Sequence, residues 1–175
     1  MFLMVVGLSG VGKTSLLRAI RLNKTCKSYS SSAVLKKLER PLYNLTQEDF
    51  LENQRVLKYF LREVDRDGSA KILDGHLIIE TKNRVFKIPE AWFRGLNICQ
   101  IICITSMPSK IAKRRQEKRF LTGDIKKITH AQRIEVSRAK LLGKKFCIPV
   151  SIMESTARAN FRNCVKNYIA QNFDR

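Results

Sequence analysis

Apolar positions in this chain fall into short unbroken runs that alternate with stretches of helical period. Phe2–Val6 is apolar throughout and closes on a glycine, which predicts a buried strand. Apolar residues at 16, 17, 20 and 22 predict a helix over Thr14–Leu22. Thr25–Ser30 reads as a second strand, and Ala33, Val34 and Leu38 as a short helix that stops before Pro41. Thr46 followed by Asp49 has the form of a capping box, with aspartate in place of the usual glutamate. The helix it opens should reach about Val64, with Phe50, Leu51, Val56, Leu57, Phe60, Leu61 and Val64 in its apolar stripe.

The second half repeats the alternation. Ala70–Asp74 is predicted as a strand, and His76–Thr81 with Arg84–Ile88 as a hairpin around Lys82-Asn83. Pro89 should start a short helix bearing Trp92 and Phe93, followed by a strand over Cys99–Thr105. A helix from Pro108 to about Leu121 precedes a break at Gly123. Thr129–Leu142 is predicted helical with Gly143 as its stop, Phe146–Met153 as the last strand, and Ser155 as the cap of a final helix reaching about Phe173. Strands alternating with helices specify an α/β fold around a mainly parallel sheet. The 175 residues suit one domain, with room for a small inserted lid.

The net charge of +19 changes the picture. Residues 107–145 hold 13 basic and 3 acidic residues, whereas 47–106 hold 9 of each. An excess so concentrated points to a polyanionic partner, nucleic acid among them, or to a plain solvated basic surface. No apolar run approaches the length of a membrane span, and no signal-peptide pattern opens the sequence. The five cysteines form no CxxC pair and lack a histidine cluster, so reduced, buried thiols in a cytoplasmic protein are expected and a zinc site is not. Lys118–Lys127, charged and glycine-containing, is the expected mobile segment.

The most specific chemistry lies in Gly7-Leu8-Ser9-Gly10-Val11-Gly12-Lys13-Thr14, which fits G-x-x-x-x-G-K-[ST] between a predicted strand and a predicted helix. Its backbone N–H groups form an anion nest, contributed by Ser9 through Ser15. Lys13 is expected to reach the β- and γ-phosphates of ATP, and the Thr14 hydroxyl to ligate Mg²⁺. Asp74, at the C-terminal end of a strand, falls where parallel sheets place ligands and can hold Mg²⁺ or accept a proton; a turn-forming Asp-Gly is the bland alternative. His76 is a candidate substrate contact. Arg115 and Arg119 share a helical face, suited to the charge that develops in phosphoryl transfer. Arg138, on the next helix, is a further candidate phosphate ligand.

The order of these parts resembles the nucleoside monophosphate kinases, most of all the archaeal-type adenylate kinases. The resemblance runs through Val5–Ser15, Asp74-Gly75-His76, the hairpin leading to Ile88-Pro89-Glu90-Ala91-Trp92, the paired arginines of Thr105–Arg115, and Ser137-Arg138-Ala139. It implies a three-layer P-loop kinase fold with a five-stranded, mainly parallel core and helices on both faces. It also implies an acceptor-side helical region at about 30–66 and a small basic lid at about 116–128. It implies transfer of the ATP γ-phosphate to a nucleoside monophosphate. By position, Gly10–Ser15 would bind the ATP phosphates, Asp74 would lie near Mg²⁺ and the acceptor phosphate, Arg115, Arg119 and Arg138 would clamp phosphates, and Arg55 would bind the acceptor. The chain departs from the family by having glycine at position 75 and no Arg/Asp pattern around Phe120–Lys127. Two other readings stand beside this one: a P-loop kinase acting on a nucleic-acid end or modified base, and a nucleotide-dependent switch or assembly factor with weak ATPase activity.

Overall fold

The computed structural model describes residues 1–20, 26–81, 84–116 and 123–173. The predicted position Arg119, the predicted hairpin tip at Lys82-Asn83 and residues 117–122 of the predicted lid lie outside them. The elements in chain order are β1 (Phe2–Val6), α1 (Lys13–Ala19), β2 (Lys27–Ser30), α2 (Ser31–Lys37), α3 (Gln47–Val64), β3 (Lys71–Asp74), β4 (Ile78–Glu80), β5 (Val85–Lys87), α4 (Glu90–Phe93), β6 (Ile98–Thr105), α5 (Pro108–Gln116), α6 (Ile125–Phe146), β7 (Val150–Glu154) and α7 (Arg158–Phe173).

Five strands form one parallel sheet in the order β2-β3-β1-β6-β7. β1 is wholly buried, as its unbroken apolar run requires when both faces of a parallel sheet are covered. The period of two divides its side chains between layers. Phe2, Met4 and Val6 join α2, α3, the hairpin and the C-terminal half of α6 in one core cluster. Leu3 and Val5 join α1, α5, α7 and the start of α6 in the other. β4 and β5 pair antiparallel outside the main sheet. Phe86 of that hairpin stacks on Phe50 of α3, with ring centroids 4.8 Å apart. No helix among the described residues is long and apolar enough to cross a membrane.

Three predicted boundaries are corrected. Gly143 lies inside α6, because its missing side chain is a packing device: a Cβ there would stand 2.3 Å from Val150 Cγ2 and 2.9 Å from the Ile148 carbonyl oxygen. α6 instead ends at Cys147, in the left-handed conformation at φ 53°. Phe146 therefore belongs to that helix, and the last strand begins at Val150. Ser155 does not cap α7, which starts at Arg158; its hydroxyl bonds Ser106 Oγ at 3.1 Å. Cys103 is buried as expected, but Cys147 is exposed at its turn.

Candidate functional site

The loop after β1 wraps an opening at the C-terminal edge of the sheet. Gly7 approaches β6 so closely that a Cβ would fall 2.4 Å from the Ile104 carbonyl oxygen. Gly12 holds φ 112°, a conformation that favours glycine, and thereby starts α1. The cavity that results measures about 410 Å³ and is lined by Leu8, Ser9, Gly10, Gly12, Lys13, Thr14 and Ser15, together with Asp74, His76, Ser30–Ser32 and Arg114. Lys13 is buried, and its Nζ donates to the Gly7 carbonyl oxygen at 2.6 Å. Asp74 Oδ1 lies 3.8 Å from that ammonium. Burial pushes the Asp74 carboxyl above the ordinary aspartate range, and Lys13 opposes the shift. His76 is held well below the usual imidazole value, first by desolvation and then by Lys13. It is therefore neutral at pH 7 and brings no third charge.

A second cavity, of about 320 Å³, lies beside the first and shares Ser9, Ser31, Ser32 and His76 with it. α2, α3 and the hairpin wall it. Leu35, Leu57, Ile88 and Trp92 make it largely apolar, while Asn53, Gln54 and Tyr43 add polar groups. The Trp92 Nε1–H donates to the Gln54 carbonyl oxygen at 3.0 Å, fixing the indole against α3. Asn53 ties the loop before α3 in place, donating to the Pro41 carbonyl oxygen at 2.7 Å and accepting from Arg40 Nε at 3.0 Å.

Arg115 lines this second cavity and is 1% exposed. Its Nη1 and Nη2 donate to the two Glu80 carboxylate oxygens at 3.1 and 2.5 Å, and its Nε to the Ser9 carbonyl oxygen at 2.9 Å. The planar fork is thus set in a fixed plane between the phosphate loop and the hairpin. Its sequence neighbour Arg114 donates from Nη1 to the Gly10 and Val11 carbonyl oxygens at 3.1 and 2.9 Å, bracing the loop from outside.

The structure brings together Ser9, Gly10, Gly12, Lys13, Thr14, Ser15, Asp74, His76 and Arg115. Val11 is buried beneath the loop. Two predicted residues are placed elsewhere. Arg55 points outward, 77% exposed, and pairs with Glu52 at 2.7 Å. The helical step that turns Asn53, Gln54 and Leu57 inward turns it away. Arg138 contacts the hairpin, donating from Nη2 to the Ile88 carbonyl oxygen, rather than the ATP-side loop.

Sequence reasoning missed Glu135, which is 1% exposed inside α6. Its carboxylate accepts the Leu77 and Ile78 backbone N–H groups at 2.9 Å, fixing the turn just after Asp74-Gly75-His76. A signal existed: Glu135 falls on the buried face of Ile128, Ala131, Ala139 and Leu142, where an apolar residue belongs.

Comparison with known proteins bears on this arrangement. A family profile described as an AAA domain matches residues 6–132. No curated protein matches the chain in sequence. Among solved structures, the fold is similar to that of a sugar kinase from Janibacter sp. HTCC2649, at TM-score 0.62 and 13% identity over 97% of this chain and 94% of that one. It is similar to a tunicamycin resistance protein from Deinococcus radiodurans, at TM-score 0.57 and 12% identity over 97% and 94%. It is also similar to a gluconokinase from Sinorhizobium meliloti 1021, at TM-score 0.53 and 13% identity over 97% and 91%. At these identities the likeness concerns the fold, which is that of a P-loop kinase.

Proposed function

The chain belongs to the AAA domain family, and from that premise we propose that it is an ATP- and Mg²⁺-dependent phosphotransferase whose acceptor is a nucleoside monophosphate. One observation carries the reading: a second cavity joins the phosphate-loop cavity through Ser9, Ser31, Ser32 and His76. A nucleotide switch or simple ATPase needs the first cavity alone. A transferase needs both, with a shared neck where donor and acceptor meet. The second cavity's apolar wall of Leu35, Leu57 and Trp92 suits a planar base better than a polyhydroxylated sugar. The Arg115 cation and the three serines at the neck suit a phosphate.

The residues fit ATP with Mg²⁺. The loop glycines let the backbone close against β6 and α5, where a Cβ would meet Ile104, Arg115 or Arg114, while Thr14 is exposed at the cavity and Asp74 ends the adjacent strand. When bound, Mg²⁺ would supply positive charge that offsets the charge of the phosphates. Lys13 then exchanges its bond to the Gly7 carbonyl oxygen for one to a phosphate oxygen. Thr14 and Asp74 are the residues that would hold the ion, Asp74 through water. Arg115 stabilises negative charge between the two phosphoryl groups without having to be ordered first. Catalysis is then mostly positioning and electrostatics.

The test is transfer of label from γ-labelled ATP to each of the common nucleoside monophosphates, with gluconate and a short oligonucleotide alongside. Labelled nucleoside diphosphate is expected, and Lys13→Met should abolish most of it in a folded protein. Acceptor-independent ATP hydrolysis would favour the switch, and label on the oligonucleotide the nucleic-acid kinase.

A further inference from the structure

The two helical layers differ in charge. α3 intersperses Glu48, Asp49, Glu52 and Glu63 with Arg55, Lys58 and Arg62. The opposite layer contains no Asp or Glu anywhere in α1, α5 or α7. Leu16, Ile111, Phe161 and Val165 bring these three helices into one core cluster, so they cover the same face of the sheet. Their outward positions carry Arg18, Lys110, Lys113, Arg158, Arg162 and Lys166. All six are exposed, and among the described residues none is in an ion pair. On α7, Arg158, Arg162 and Lys166 recur at every fourth residue, a line rising roughly 6 Å per step. Exposed Asn160, Asn163, Asn167 and Gln171 flank that line.

Like charges at this spacing oppose helix formation, and helices ordinarily relieve them with interspersed acids. α7 has none, so its cations are left to an external anion. We propose that the acid-free face centred on Arg158, Arg162 and Lys166 is a docking surface for double-stranded RNA. Charge complementarity points to a polyphosphate backbone. A bilayer surface is disfavoured because, among the described residues, none of the large exposed hydrophobic side chains lies in α1, α5 or α7, leaving nothing to enter the headgroup region. A single strand is disfavoured because Phe161 and Tyr168 are buried, so they offer no platform for unstacked bases. A duplex asks only for backbone contact. The shallow minor groove of RNA presents 2′-hydroxyls that both donate and accept, as the flanking amides do. The surface is distinct from the two cavities and holds whichever acceptor they take. It also extends beyond the basic stretch 107–145, since α7 lies outside that stretch.

Fluorescence anisotropy with a labelled RNA duplex of about 20 base pairs tests the proposal over a range of NaCl concentrations. Binding should weaken steeply with salt. The triple variant Arg158→Gln, Arg162→Gln, Lys166→Gln should bind at least about tenfold more weakly and flatten the log–log slope by roughly 0.7–0.9 for each phosphate it no longer neutralises. Its ATP affinity should stay unchanged, and its thermal unfolding temperature should stay the same or rise slightly as like charges are removed from α7. Should that variant unfold, Lys110→Gln with Lys113→Gln provides a second reading of the same face and should also flatten the slope. Unaltered RNA binding in both variants overturns the proposal. So does equal affinity for a DNA duplex of the same sequence, or binding to phosphatidylserine vesicles without binding to RNA.

Discussion

Asp74 sits between two opposing influences, a desolvating strand end and the Lys13 ammonium 3.8 Å away. Replacing it with asparagine keeps the shape and removes the charge. Asp74→Asn should lower turnover by about tenfold or more, or ~1.4 kcal/mol of barrier, with little change in ATP affinity. Steady-state kinetics beside a direct ATP titration would check this, and a loss of thermal stability alone would assign Asp74 a purely structural part. Glu135 presents a second buried charge. Burial pushes its carboxyl up to about 7, although the Leu77 and Ile78 N–H groups and Lys13 pull the other way. A carboxyl raised above its unfolded value binds its proton more tightly in the native state. Its contribution therefore falls as pH rises from about 4.5 to about 7. Glu135→Gln abolishes that titration and turns an amide N–H₂ toward backbone donors. The variant should be less stable than wild type, and the gap should narrow across this pH window in denaturant titrations. A pH-independent gap would mean that the carboxyl does not titrate there.

At the scale of elements, close packing decides what local pattern leaves open. Gly143→Ala would drive a methyl against Val150 and the Ile148 carbonyl oxygen, and should cost about 1–3 kcal/mol, read as a lower denaturation midpoint. A neutral outcome would show that α6 can shift away from β7. The same glycine shows where sequence reasoning stops. Local signals are legible: the Thr46–Asp49 capping box forms with both of its bonds, at 3.0 and 3.1 Å, and β1 and the phosphate loop fall where their residues place them. Those features depend on residues a few positions apart. Gly143 reads as a stop because a glycine needed for tight packing and one needed for a turn look identical in sequence. Charge favours Arg55 over Gln54, whereas the phase of α3 against the sheet is set by distant packing. The Arg115–Glu80 pair joins residues 35 positions apart, and nothing local announces it.

For the whole molecule, +19 is a self-repelling charge that the native state concentrates. Raising NaCl from about 20 to about 150 mM shortens the screening length to ~8 Å and should stabilise the ligand-free protein by on the order of 1 kcal/mol, or roughly 2–4 °C. Calorimetry at matched pH would measure it. A transition temperature that stays flat or falls with salt would show that ion pairs such as Lys71–Asp67 outweigh the repulsion.

Trp92 is the sole tryptophan of the chain, and it stands in the wall of the second cavity with its ring N–H committed to α3. Emission excited at the red edge of the absorption band, where the four tyrosines absorb little, is thus a signal from that one wall. A molecule stacking there should quench or shift it, while occupancy of the phosphate loop alone should leave it nearly still. Donor and acceptor loading can accordingly be followed as separate optical events in one unlabelled sample.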